Sequence, residues 1–286
     1  MLYPFFQRFW FLAAITSLLT LHSCRPKPIK IHVQSAPSKL VVFSHVVPQK
    51  SMIVALSRTF SALDGMTEDS LTSLLVTGAT VQIRFNQQVF EFEEINPGIY
   101  ISINEAYEVN QDYELLVIHE QDTVHATTRM LPKVNFTLCN PEVVKNPGDT
   151  LVYLNMKFND IPEVENWYMI NVYKKNAGYN PLDGVNFFAN GSNNSVTTIL
   201  VSDKEFDGHY ERRLLLDKLA HTDSIAVTLS NISNTYFDYL KYRSTGGNIL
   251  TQLNLEPINY PTNVTNGYGF FNAHFPDIKL FDLSQF

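Results

Sequence analysis

The sequence predicts a mainly β protein. An N-terminal immunoglobulin-like β-sandwich is expected over residues 38–132, and a second β-rich domain with one short helix near 233–243 over residues 133–286. Three observations carry this. Val81-Gln82-Ile83-Arg84-Phe85 alternates apolar and polar residues, the period of a half-buried strand. About seven such short runs follow one another before residue 132, split by turn signals such as Asn96-Pro97-Gly98, which is sandwich spacing. One stretch, beginning at Ser233, places Tyr236, Leu240 and Arg243 on a helical stripe with Tyr239 beside them.

In chain order, residues 9–21 are uncharged and mostly apolar, and Arg8 is the only charge before Cys24. This is the n-region and h-region of a secretory signal, shorter than the roughly 20 residues of a spanning helix. Leu21-His22-Ser23-Cys24 ends the run. A Leu, a spacer, a small residue and Cys is similar to the lipobox of bacterial lipoproteins. That resemblance implies loss of residues 1–23 as a signal peptide, a diacylglycerol thioether on Cys24, and acylation of the new amine, palmitate being the usual label. Several acyl chains together give stable anchoring. Residues 24–37 read as a tether, rich in proline and carrying Arg25, Lys27 and Lys30, which suit anionic head groups.

Leu40-Val41-Val42-Phe43 opens the first sandwich as a continuous apolar run. Met52, Val54 and Leu56 alternate with Ile53, Ala55 and Ser57, so this strand is expected to be buried on both faces. Residues 64–78 interrupt the strands as a loop with a short helical turn. Phe90-Glu91-Phe92-Glu93 continues the 81–85 strand after Asn86-Gln87-Gln88, and runs at 100–103, 113–118 and 123–128 complete the set. Leu131-Pro132-Lys133 marks the boundary. Beyond it, strands are predicted at 134–139, 151–158, 167–173, 197–201, 213–216 and 224–229, with an Asn- and Gly-rich loop at 175–195. Ser233 caps the helix, and the tail from 257 to 271 reads as loop.

Composition is globular, with 45% apolar residues, 20 Phe and 14 Tyr, which argues against disorder. A net charge of −7 without long basic runs argues against nucleic acid as a partner. With Cys24 lipidated, Cys139 has no intramolecular partner and reads as a buried thiol in a strand.

No motif for catalysis stands out. Zinc protease chemistry needs two His one helical turn apart with a Glu between, and no such spacing occurs. No Gly-x-Ser-x-Gly elbow or phosphate-cradling glycine loop occurs either. His119 and His125 flank a hairpin and with Glu120 form a metal candidate, read rather as exposed polar strand ends. Glu93 and Glu94 would point to opposite strand faces, so they do not act together as acid and base. No metal, cofactor or catalytic residue is therefore assigned. Trp167, Tyr168, Tyr179, Phe187 and Phe188, around the long loop, are the candidate ligand or partner surface, with core packing as the bland reading. Gly267 and Gly269 read as positions needing positive φ or close packing, with a docking edge as the alternative.

The whole mature chain resembles a family of Bacteroidetes outer-membrane lipoproteins, the domain of unknown function 4249 family. The residues that carry the likeness are the lipobox Cys before Lys39-Leu40-Val41-Val42; Thr77-Gly78-Ala79-Thr80-Val81 with Pro97-Gly98-Ile99-Tyr100; and Asn159-Asp160-Ile161-Pro162 with Trp167-Tyr168. The last and most specific are Ser230-Asn231-Ile232-Ser233 and the tail Pro261-Thr262-Asn263-Val264-Thr265-Asn266-Gly267-Tyr268-Gly269-Phe270-Phe271. The resemblance implies an outer-membrane location, an accessory role beside a TonB-dependent transporter, and no catalytic residues to carry over. Arg25-Pro26-Lys27 stands where surface-exported lipoproteins of this phylum carry acidic residues, which favours the periplasmic face. A glycan- or peptide-binding module is the alternative, and a hydrolase the third reading.

Overall fold

A computed structural model describes residues 37–47, 52–60, 72–103, 107–146, 149–175, 195–206, 208–216, 219–245 and 260–286. Cys24, the tether and the long loop with Tyr179, Phe187 and Phe188 lie outside them.

The first body is a sandwich of two five-stranded sheets. Eight of its strands are β1 (Leu40–Val46), β2 (Met52–Arg58), β3 (Thr80–Phe85), β4 (Gln88–Glu91), β5 (Glu93–Asn96), β6 (Ile99–Ser102), β7 (Asp112–His119) and β8 (Asp122–Arg129), and the tail supplies the other two. The expected strand at 90–93 is two strands in different sheets. The chain crosses between them at buried Phe92, whose N–H donates to the Val81 carbonyl at 3.1 Å. β2 buries Met52, Val54 and Leu56 fully, while its other face is only half-buried. Asn86 and Gln87 both take positive φ, which matches the tight β3–β4 turn to strand twist.

The second body contains β9 (Phe136–Asn146), β10 (Asp149–Asn159), β11 (Trp167–Lys175), β12 (Ser195–Ser202), β13 (His209–Leu216) and β14 (Ser224–Ile232). A three-stranded sheet in the order β13-β10-β9 faces a four-stranded one. Pro141 sits within β9, which is tolerated because β9 is an edge strand. Between the sheets lies a core that includes Leu154, Phe158, Ile170, Val227 and Leu229.

The helix α1 (Asn234–Thr245) follows β14. Ser233 caps it as expected, its Oγ accepting from the Tyr236 N–H at 3.2 Å. α1 presents Tyr236, Phe237 and Tyr239 to Met169 and Ile232 of the second body and to Phe270 and Phe43 of the first. The helix is thus a shared core between two sandwiches, and residues 37–286 form one unit.

The tail is not a loop. It forms β15 (Val264–Thr265), β16 (Tyr268–Ala273) and β17 (Asp277–Asp282). β16 pairs in parallel with β1, β15 pairs with β8, and β17 pairs with β14. A boundary at 132 therefore does not divide the chain cleanly, because Val264, Phe271 and Ala273 belong to the first core. Two glycines and three Asn residues break the alternation that would have announced these strands. β16 and β15 form because the first sandwich leaves the edges of β1 and β8 free to be paired, and β17 because it completes the edge at β14.

Candidate functional site

The tail explains its own composition. Gly269 has φ +102°, and a Cβ there would overlap the Val42 backbone. A Cβ on Gly267 would lie 2.8 Å from the Leu40 carbonyl oxygen. Between them, the Tyr268 backbone pairs with Val41 of β1. Asn263 bridges the two sheets: its Nδ2 donates to the carbonyls of Thr127 (2.9 Å) and Phe271 (2.7 Å), and its Oδ1 accepts from the Phe271 N–H (2.9 Å). Thr262 Oγ1 donates to the Gly269 carbonyl at 2.8 Å. Phe271 then enters the first core and Phe270 the helix core. The close-packing reading of the two glycines agrees with this geometry, and the stretch acts as a clasp across the edges of the first sandwich.

One tail side chain is left displayed. Tyr268 faces outward, with the Lys39 ammonium 5.5 Å from its ring centroid. The register sets Tyr268, Val41, Ser57 and Leu75 side by side in one row on the outer face of the β16-β1-β2 sheet. Lys39 precedes that row by one step on the same face, and Phe60 lies just past the end of β2. The described chain begins at Pro37, at this same end. Tyr268 and Leu75 are exposed at the two ends of this row, half-buried Val41 and Ser57 lie between them, and Lys39 stands at its border. Sequence reading missed it because its members come from four separate segments. The alternation of Tyr268 and Phe270 around Gly269 was the signal available.

Of the predicted aromatic surface only Trp167 and Tyr168 fall among the described residues. Tyr168 is fully buried, with its ring 4.8 Å from that of Phe158. Its hydroxyl donates to Asp160 Oδ1 and accepts from the Ile161 N–H. Burial, then the hydrogen bond to Asp160, push its phenol far above the ordinary range. Trp167 packs half-buried in the helix core. Consecutive strand residues point to opposite faces, so the pair cannot form one platform.

His119 Nδ1 accepts from Arg58 Nη2 at 3.1 Å, and Arg58 also pairs with Asp122 at 2.9 Å. His125 pairs with Leu116 in the hairpin register and lies on the opposite face from His119. The two imidazoles are therefore not co-ligands. Among the described residues no group of three or more His, Cys, Asp or Glu could hold a metal ion. Arg58 ties the end of β2 to the β7–β8 hairpin of the facing sheet, a role its position as an isolated basic residue did not announce. Glu93 and Glu94 are exposed in β5. Glu94 Oε2 accepts from the Gly78 N–H at 2.7 Å, which fixes the loop before β3.

Cys139 is half-buried on the inner face of its sheet, and desolvation pushes its thiol up to about 12. Arg213 reaches Glu142 through two nitrogens at 3.1 Å each and covers the Tyr153 ring at 3.5 Å. Asp277, almost fully buried, accepts from the Phe136 N–H at 3.0 Å and pairs with Lys133 at 3.4 Å. Both sets hold strands together, and their chemistry is spent on structure.

Among the described residues no helix is long and apolar enough to cross a membrane. No curated protein matches the sequence. Among solved structures, a chain described as "Cytokine receptor complex - Crystal form 1A" is 7% identical, covers 84% of this chain and 95% of its own, and has a TM-score of 0.23. A likeness at that score carries no argument about function. Residues 26–275 match the family described as "Domain of unknown function (DUF4249)". That match takes in the tail clasp as far as Phe275, together with both sandwiches and the helix between them, and the chain belongs to this family.

Proposed function

We propose that this is a lipid-anchored protein of the outer membrane that acts through protein contacts beside a TonB-dependent transporter, without catalysis of its own. The observation that carries the reading is Leu21-His22-Ser23-Cys24 directly behind an apolar run, followed by a pair of β-sandwiches. Several polar side chains of the described residues have structural partners. His119 is held by Arg58, Tyr168 by Asp160, and Glu142 by Arg213. Arg25 and Lys27 directly after Cys24 support the periplasmic face.

The test is mild detergent extraction of crosslinked membranes. A co-purifying outer-membrane barrel protein is the expected result, and recovery of a lone monomer would count against it. Anchoring is checked separately: Cys24→Ala should abolish palmitate labelling, and unchanged labelling would contradict the assignment.

A further inference from the structure

We infer that the outer face built from Tyr268, Leu75 and Lys39, with Phe60 at the same end, rests against the phospholipid surface that holds the anchor. The inference rests on the proposed acylation of Cys24 and goes further, because it assigns which face of the first sandwich meets lipid and orients the molecule on it.

Three observations carry it. The first is where the preceding chain joins. Thirty-six residues precede Pro37 and include Cys24, and Pro37 leads directly into Lys39 and β1 at this end of the sandwich. A short tether makes encounter with the bilayer intramolecular, so a face of weak intrinsic affinity is held close to it. The second is exposure. Tyr268 is 49% exposed, Phe60 48% and Leu75 37%, whereas Phe270, on the same face of β16 as Tyr268, is buried. The glycines on either side of Tyr268 bring its backbone close to β1. The third is chemistry. The Tyr268 ring with its polar tip, bordered by Lys39, matches the interfacial zone of a bilayer, where such rings sit at head-group depth and ammonium groups meet phosphate. Among the described residues, Asp122 pairs with Arg58, Glu120 lies 3.7 Å from the same guanidinium, and Glu94 accepts from Gly78 and Tyr100. Lys39 borders the row, its ammonium 5.5 Å from the Tyr268 ring centroid.

The natively acylated full chain is reconstituted in vesicles of phosphatidylethanolamine and phosphatidylglycerol. An environment-sensitive thiol dye is placed by Tyr268→Cys, by Phe60→Cys, or by Leu215→Cys on the outer face of the second body. Acylated Cys24 and the poorly ionised Cys139 leave the new thiol as the reactive one. Lipid-borne nitroxide should remove most of the emission at positions 268 and 60 and leave position 215 as it is in detergent. Lys39→Glu should reduce quenching at 268 as the phosphatidylglycerol content rises. Equal quenching at 268 and 215 overturns the inference. Quenching absent from protein-free lipid, with crosslinks from position 268 to a membrane protein, assigns the face to a protein and also overturns it. A chain that floats with the vesicles but shows no quenching at 268 or 60 sinks this inference alone. A chain lacking acyl mass on Cys24 sinks the anchoring reading, and this one with it.

Discussion

At the residue scale, Gly269 is the position where backbone need is sharpest. Its φ of +102° disfavours any side chain, and Val42 occupies the space where one would go. Gly269→Ala should therefore cost about 3 kcal/mol or more, from backbone strain plus displacement of β1, or prevent folding. Urea midpoints would measure it; a change within experimental scatter would show that the clasp is dispensable. Cys139 gives a second expectation. Burial keeps the thiol protonated far past neutrality, so it should react slowly with Ellman's reagent at mildly alkaline pH and rapidly once urea exposes it. Fast labelling of the folded chain would contradict its placement on the inner face.

At the scale of elements, tyrosine hydroxyls pin loops to strands in both bodies. Tyr113 OH accepts from the Glu108 N–H at 2.9 Å, Tyr100 OH donates to the Val76 carbonyl at 2.9 Å, and Tyr168 serves β10 and β11 in the same way. The β9–β10–β13 sheet is joined on its outer face by Glu142 and Arg213. Arg213, then Asn155, hold the Glu142 carboxyl below its usual range. A carboxyl depressed on folding stabilises above its unfolded pKa and loses that contribution as pH falls through the folded one. Glu142→Gln should therefore be less stable than the parent near neutral pH and converge with it in acid. Urea titrations at both pH values would check this, and a constant gap between the two proteins would rule it out. Both side chains are exposed, so the effect is small.

At the scale of the whole molecule, α1 and the clasp make two sandwiches one body. α1 shares a core with both, and β16 and β17 are consecutive strands placed in different bodies. Asp277 and Lys133 tie the passage between them, and Phe275 meets Tyr107 edge-on at 4.9 Å and lies under Lys133 at 5.1 Å. Removing either body would expose the core of the helix. Unfolding should therefore be a single transition. Trp167, the one tryptophan besides Trp10, reports on the second body, and a dye at position 60 reports on the first. The two probes should give the same midpoint, and two separated midpoints would show that the bodies unfold independently.

By itself the sequence determined the β class, most strand positions, the capped helix and the lipobox, because each is written in local periodicity or in a contiguous motif. It also determined that the tail glycines serve the backbone. Only the tertiary structure decided that the tail is three strands, that Phe92 divides one run between two sheets, that Tyr168 is interior, and that Tyr268 shares a sheet face with Lys39 and Leu75. The tail strands and the Tyr268 row depend on pairings between residues more than a hundred positions apart, such as Val42 with Gly269 and Phe136 with Asp277, while Phe92 and Tyr168 are placed by partners closer along the chain, Val81 and Asp160. A strand that completes another strand's edge gains its stability from that partner, so its own residues need not show the period.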